Sequence, residues 1–166
     1  MCKAALLAGI LLFVPLAAHA QKNEIFAGYS FLRMEAHPSN MNLIGGWEGS
    51  YTYQLSSFYG INADASGDYG TVLNSRMNFH SYLIGPQIHI PLPRHFSPFV
   101  HLRFGWSRLS FQGIITDKFT SNVGGGMDYR ASDSISFRLI EADFITGNFT
   151  QSSPESRFST GIVFRF

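Results

Sequence analysis

The sequence predicts an all-β chain whose eight strands close into one antiparallel up-and-down barrel. Three observations predict it. From Glu24 onward, apolar residues alternate with small or polar ones in eight segments, and successive side chains of a strand point to opposite faces. The spacers between segments alternate in length, giving the barrel a long-loop end and a short-turn end. Beyond Ala20 no stretch reaches the roughly 18 consecutive apolar residues of a spanning helix. Rings make up 15% of the chain and charges 14%, where about 25% charged is usual for a soluble domain.

Residues 1–20 read as a cleavable signal peptide: Lys3, an apolar run from Ala4 to Ala18 broken by Pro15, then Ala18-His19-Ala20 before the polar Gln21. As a helix this run rises only about 22 Å, short of a hydrocarbon core of about 30 Å. The barrel domain is then 21–166. Cleavage removes Cys2, the only cysteine, so neither disulfides nor thiolate metal sites are expected. Cys2 precedes the apolar run, which argues against a lipid anchor. Removing Lys3 leaves basic and acidic residues equal in number, with no Lys or Arg run to attract nucleic acid.

The first segment, Glu24 to Met34, sets Ile25, Ala27, Tyr29 and Phe31 against Phe26, Gly28, Ser30 and Leu32. The second, about Asn42 to Tyr53, sets Trp47, Gly49, Tyr51 and Tyr53 against Gly46, Glu48, Ser50 and Thr52. The third, Phe58 to about Gly67, alternates Tyr59, Ile61, Ala63 and Ala65 with Gly60, Asn62, Asp64 and Ser66. The fourth, about Asn78 to Ile90, has Tyr82, Ile84, Pro86 and Ile88 opposite Ser81, Leu83, Gly85, Gln87 and His89. The fifth, about Pro98 to Leu109, has Val100, Leu102, Phe104 and Trp106 opposite His101, Arg103, Gly105 and Ser107. The sixth, Phe119 to Arg130, places Val123, Met127 and Tyr129 against Asn122, Gly124, Gly126 and Asp128.

The seventh runs from Ile135 to about Phe144, and the eighth is Phe158 to Phe166, with Phe158, Ile162, Phe164 and Phe166 on one face and Arg165 on the other. Glu35 to Met41, Asp68 to Met77, Ser110 to Lys118 and Ile145 to Glu155 form the long side. Gln54 to Ser57, Pro91 to Ser97 and Ala131 to Ser134 form the short one. An even strand count puts both ends of the barrel on the short-turn side.

Alternation alone leaves open which face points inward, since a soluble barrel could solvate the charged face. Size decides. The interior of an eight-stranded barrel is just wide enough to be filled by side chains, too narrow for Tyr51, Tyr53, Tyr59, Tyr82, Phe104, Trp106, Tyr129, Phe137, Phe164 and Phe166 together. The apolar face is therefore expected to meet lipid. Tyr29, Tyr53, Tyr59, Tyr82, Trp106 and Tyr129 are candidates for the interfacial aromatic girdles. The chain is then a transmembrane barrel.

Glu48, Asp64, Arg103, Asp128, Arg138, Glu141, Asp143 and Arg165 then face the lumen, nearly balanced in sign, and should pair there because an unpaired buried charge is costly. Strict alternation in the seventh segment would turn Glu141 and Asp143 to lipid, so a β-bulge is predicted near Leu139 and Ile140. His89 and His101 point inward on adjacent segments, within reach of each other or of neighbouring acids. Two histidines make a weak metal signal, and hydrogen-bonded packing is the expected role. Gly124 to Gly126 are expected to allow strand curvature or to make room for large lumen neighbours.

Four features together carry a resemblance: Ile25-Phe-Ala-Gly-Tyr-Ser30, Gly124-Gly-Gly-Met-Asp-Tyr-Arg130 before a short turn, Arg138 with Glu141 and Asp143, and Phe158 to Phe166. Over about residues 23 to 166 the chain resembles the small eight-stranded outer-membrane barrels of the OmpA and OmpX type. The resemblance implies an outer-membrane location after export and a bilayer-lipid environment. It also implies recognition by the barrel assembly machinery through a closing-strand signal, Phe164 with the terminal Phe166. A peptidoglycan-binding domain like that of full OmpA is not expected, since the chain ends with the barrel.

The functional expectation is a monomeric structural or surface-interaction protein with a side-chain-plugged lumen, no cofactor, no metal and no enzymatic activity. A narrow porin-like channel is the alternative. A lipid A hydrolase is more distant, because His80, Ser81, Ser107, Ser110, Ser121 and Asp117 form no compact triad pattern. His37 and His80 are expected to be hydrated loop residues.

Overall fold

The computed structural model describes residues 23–34, 41–72, 74–90, 92, 95–147 and 155–166, with backbone alone at 41 and 72. The expected signal peptide and His37 lie outside the described residues. Eight strands follow in order: β1 (Glu24–Met34), β2 (Met41–Gln54), β3 (Tyr59–Val72), β4 (Ser75–His89), β5 (Phe96–Phe111), β6 (Ile114–Arg130), β7 (Ile135–Thr146) and β8 (Glu155–Arg165). Each pairs antiparallel with its successor, and β8 pairs with β1 to close the barrel. Closure leaves no sheet edge along the paired wall, as a bilayer requires. At the short-turn end the Asn23 amide donates to the Phe166 carbonyl at 2.9 Å, and the Phe166 amide donates back at 3.1 Å.

Two short turns use the same chemistry. Ser56 Oγ accepts from the amides of Phe58 (3.2 Å) and Tyr59 (3.3 Å), and Ser132 Oγ accepts from those of Ser134 (3.3 Å) and Ile135 (3.0 Å). A serine hydroxyl that satisfies two turn amides supplies what the ladder no longer can.

The long side differs from expectation in two places. The spacers Asp68 to Met77 and Ser110 to Lys118 are strand. β3 and β4 stay paired up to Val72 opposite Ser75, and β5 and β6 up to Phe111 opposite Ile114. Asn74 (φ 60°), Gln112 (φ 51°) and Gly113 (φ 81°) supply the left-handed backbone that tight hairpin turns need. The polar character of these spacers comes from hairpins that rise past the apolar belt, where an outward residue meets water. The belt's alternation therefore stops before the strands do. The other two long connections, 35–40 and 148–154, lie outside the described residues.

The wall is apolar outside and polar within. Tyr82, Ile84, Phe104, Trp106, Phe119, Phe144 and Phe166 are all more than 40% exposed, while Glu48, Asp128, Arg103 and Arg157 are at most 1% exposed. Among the described outward-facing strand residues, charges stand only near the long-side ends: Arg33, Arg76, Arg108 and Asp117. On β5 the outward run Pro98 to Trp106, at roughly 3.3 Å per residue and tilted about 40°, covers roughly 20 Å, most of the ~25 Å apolar band of an outer-membrane barrel. Trp47 and Tyr69, joined by a 3.3 Å hydrogen bond, add to the rings on the long-side rim.

Two bulges set the phase. In β7, Leu139 and Ile140 together oppose Thr160 of β8, because Arg138 pairs with Gly161 and Glu141 with Ser159. Both bulge residues face outward at 50% and 51% exposure, and Glu141 and Asp143 turn in at 1%. The second bulge was not foreseen: Ile44 and Gly45 of β2 oppose Phe31 of β1, bringing Leu43 inward together with Glu48. Gly124 makes room rather than curvature alone. A Cβ there would collide with Asp143 Oδ1, the Ala142 carbonyl and His101 Nε2.

Deletion of Leu139 leaves Ile140 alone opposite Thr160, so β7 loses its bulge while Arg138 and Glu141 still face inward on either side of one outward residue. The variant is expected to keep the heat-modifiable electrophoretic form of a folded barrel. Loss of that form would show that the bulge does more than set the phase.

Candidate functional site

The lumen holds the densest chemistry of the molecule, a ladder of charges contributed by every strand except β4. Its centre is Arg157 of β8. Arg157 Nη2 donates to Asp143 (2.7 Å), Asp64 (3.2 Å) and Glu48 (3.4 Å), Nε donates to Asp143 (3.2 Å), and Nη1 donates to Ser66. Arg103 of β5 meets the same acids from the opposite wall. Its Nη1 lies 3.2 Å from Asp64 and donates to Asn62 at 3.2 Å; its Nη2 donates to Glu141 at 2.7 Å and Asp143 at 3.0 Å. Glu48 also accepts from Ser159.

Below this cluster the ladder continues through Arg138 of β7. It donates to Glu141 at 2.5 Å and to Asp128 at 2.9 Å. Its guanidinium is held between two rings, 4.2 Å from the centroids of both Phe26 and Phe99. A desolvated cation over an aromatic face gains about 2 kcal/mol, and here both faces are covered. Glycine permits it, since a Cβ at Gly28 or Gly161 would collide with the Phe26 ring. Arg165 ends the ladder, donating to Glu24 at 2.6 Å and to Ser136, with Asp128 at 3.7 Å.

All eight charges read from the sequence lie in this interior. Four further ones were missed: Glu24, Asp68, Glu155 and Arg157, each at most 5% exposed. A signal was present: Asp68, Glu155 and Arg157 continue their strands' inward parity past the segment ends drawn from hydropathy, and Glu24 opens the first segment on the same parity as Phe26. They also correct the expected charge balance. Among the described residues, the buried carboxylates are Glu24, Glu48, Asp64, Asp68, Asp128, Glu141, Asp143 and Glu155, against the guanidiniums of Arg103, Arg138, Arg157 and Arg165. The lumen is acidic.

The two inward histidines do not meet. Phe99 lies between them, its ring centroid 6.1 Å from that of His89 and 5.9 Å from that of His101. His89 Nε2 bonds Gln54 (3.1 Å) and Gln87 (2.8 Å) and lies 3.6 Å from Glu24. His101 Nε2 lies 2.7 Å from Asp143 Oδ1. His101, Glu141 and Asp143 are close enough to hold a metal ion. Arg103 Nη2, however, lies 2.6 Å, 2.7 Å and 3.0 Å from His101, Glu141 and Asp143. The trio is built around a guanidinium.

Above the ladder, toward the long side, the lumen turns apolar. Leu32, Met34, Leu43, Met77, Phe79 and Ile145 form a buried cluster at 3% exposure or less, with Leu109 and Phe111 against it. The sequence reading had put Leu32 on the inward face but foresaw no apolar cluster around it. Met77 and Phe111 fell in spacers read as loops, and the unforeseen β2 bulge is what turns Leu43 inward.

Of the residues weighed for hydrolysis, Ser81 lies inside, 2.7 Å from Ser66 Oγ. His80 belongs to β4, not to a loop. It stands on the outer wall with its ring edge-on to Tyr69 at 5.4 Å. Beside it, Arg108 Nε and Nη2 donate to Asp117 at 2.7 Å and 3.1 Å.

No protein-family model and no curated protein matches the chain. Solved structures match by shape. The Neisserial surface protein A shares 12% identity over 87% of this chain and 97% of its own, with a TM-score of 0.70. Ail, the attachment invasion locus protein of Yersinia pestis, solved in complex with the heparin analogue sucrose octasulfate, shares 16% over 88% and 99%, with a TM-score of 0.65. The N-terminal β-barrel domain of Pseudomonas aeruginosa OprF shares 14% over 88% and 98%, with a TM-score of 0.64. The chain thus has the fold of the small eight-stranded outer-membrane barrels.

Replacing Arg157 by Met leaves Glu48, Asp64 and Asp143 beside one another with Arg103 as their one shared guanidinium. The expected loss is about 3–5 kcal/mol, read from the urea midpoint of the refolded barrel. Arg108→Met breaks a pair whose side chains are 58% and 55% exposed and is expected to leave the urea midpoint almost unchanged. Equal losses in the two variants would contradict the ladder's role.

Proposed function

We propose that the chain is an integral outer-membrane barrel with a closed lumen, serving a structural or surface-interaction role without enzymatic activity. The observation that carries the reading is the inverted distribution of polarity, with charges inside and rings and aliphatics outside. The fold of the outer-membrane barrels supports the location. The apolar cluster stacked on the charge ladder supports a closed lumen, since ions would have to break one and dehydrate past the other. The paired β3–β4 and β5–β6 hairpins extend past the apolar belt and offer a raised surface for contact. Two of the similar barrels are named as a surface protein and an attachment invasion locus protein, which favours the surface half of the proposal.

A narrow cation channel is the second reading, favoured by the acid excess of the lumen. The lipid A hydrolase gains no support, because Ser81 and His80 lie on opposite faces of the β4 wall. The partners of this reading are bilayer lipid and, through Phe164 and Phe166 at 46% and 62% exposure, the barrel assembly machinery.

Refolded protein in planar bilayers is expected to show no large, stable conductance, while membrane fractionation and heat-modifiable migration report an outer-membrane barrel. Stable cation-selective openings would replace the closed-lumen reading by the channel. In cells, Phe166→Ala is expected to lower the folded outer-membrane fraction and leave unassembled chain in the periplasm. Unchanged assembly kinetics would remove the signal assigned to this residue.

A further inference from the structure

One patch of the outer wall straddles the long-side edge of the belt and takes no part in the ladder. Across β4, β5 and β6 two rows of side chains run side by side. In the upper row His80, Arg108 and Asp117 are successive cross-strand partners. In the lower row Tyr82, Trp106 and Phe119 are. Tyr82 and Trp106 are 60% and 65% exposed, and the Trp106 and Phe119 rings meet edge-on at 5.4 Å. His80, Tyr82, Trp106, Ser107, Arg108 and Asp117 line a groove of about 470 Å³, within the roughly 300–1,000 Å³ of small-molecule sites.

We propose that this groove binds a phosphorylated lipid of the outer leaflet, the Arg108 guanidinium holding the phosphate and the ring row holding the start of an acyl chain. Asp117 takes the Nε and Nη2 edge of Arg108 through two parallel hydrogen bonds. This aims the side chain and leaves the Nη1 donors without a partner among the described residues. A guanidinium fixed along one edge presents its remaining N–H groups as a prepared fork for a phosphate. His80, directly opposite Arg108, adds an imidazole to the same rim. The order of the rows matches a lipid lying against the wall, polar groups beyond the girdle and rings at the acyl boundary. Charge is complementary as well. The described outward charges of this rim are Arg33, Arg76 and Arg108 against Asp117 alone, so an anionic headgroup is attracted.

The inference rests on the membrane reading above, and its test separates the two. The chain has two tryptophans, so Trp47→Phe leaves Trp106 as the sole indole reporter. This variant, refolded into phosphatidylcholine nanodiscs, is titrated by mole fraction with bis-phosphorylated lipid A, with its dephosphorylated analogue, and with inorganic phosphate in the buffer. Trp106 fluorescence is expected to respond saturably to the phosphorylated lipid alone. Adding Arg108→Ala should raise the half-saturating mole fraction about tenfold, the size of one charge-assisted hydrogen-bonded contact. Asp117→Asn, which loosens the guanidinium, should raise it less. Equal response to the dephosphorylated lipid, an unchanged midpoint in the Arg108 variant, or saturation by inorganic phosphate alone would each overturn the lipid site. Heat-modifiable migration of every variant is followed in parallel. Its loss in the parent would sink the membrane reading, whereas a folded barrel that ignores the headgroup sinks only this site.

Discussion

The structure depends on the mutual satisfaction of charges in a space that excludes water. Removing an ion from water costs several kcal/mol even after relaxation, so a narrow lumen tolerates guanidiniums and carboxylates only as a connected set. Arg157 and Arg103 approach Asp143, Asp64 and Glu48 from opposite walls. Arg138 then carries the network down to Asp128, and Arg165 carries it to Glu24. Every strand except β4 contributes at least one member, so none of those seven can slip by one residue without turning a charge to lipid. The ladder acts as a register device as much as a stabilising one. The bulges of β2 and β7 are the adjustments that let its members face inward together.

Packing follows from the same constraint. Glycines at 28, 124 and 161 make space for the rings and carboxylates that surround the cations. Phe26 and Phe99 cover Arg138 on both faces, and Phe99 also separates the two histidines. The apolar cluster above the ladder then caps the lumen on the side where strands and hairpins leave the bilayer. Polar filling within the belt and apolar filling above it reverse the outer surface, which is apolar within the belt and charged beyond it.

The outer wall has its own logic. Its charges are confined to the long-side rim, and on one side of that rim they stand beside a ring row in an order suited to lipid rather than water. Arg108 and Arg157 show how context assigns a role to the same side chain. One is half-exposed and aimed by a single carboxylate, so it contributes little to stability and remains available to a ligand. The other is wholly buried among three carboxylates, and its loss leaves all of them to Arg103 alone.

Much of this was legible in the chain itself. Alternation with period 2 is a local property, so it identified the strands, the lipid and lumen faces, and the eight inward charges. The charges in β7 could not otherwise avoid lipid, so a bulge at Leu139 and Ile140 followed as well. Strand ends were not legible, because past the belt the solvent no longer imposes apolar outward faces. Asp68, Arg157 and Glu155 were therefore missed, and so were the two tight hairpins. Which acid meets which guanidinium, the ring sandwich on Arg138, the apolar cap, and the meeting of His80, Arg108 and Asp117 all depend on distant strands brought side by side. The sequence by itself determined which way the side chains face within the apolar belt. Only the closed barrel decided which partners it meets there, because register and closure join residues that lie more than a hundred positions apart.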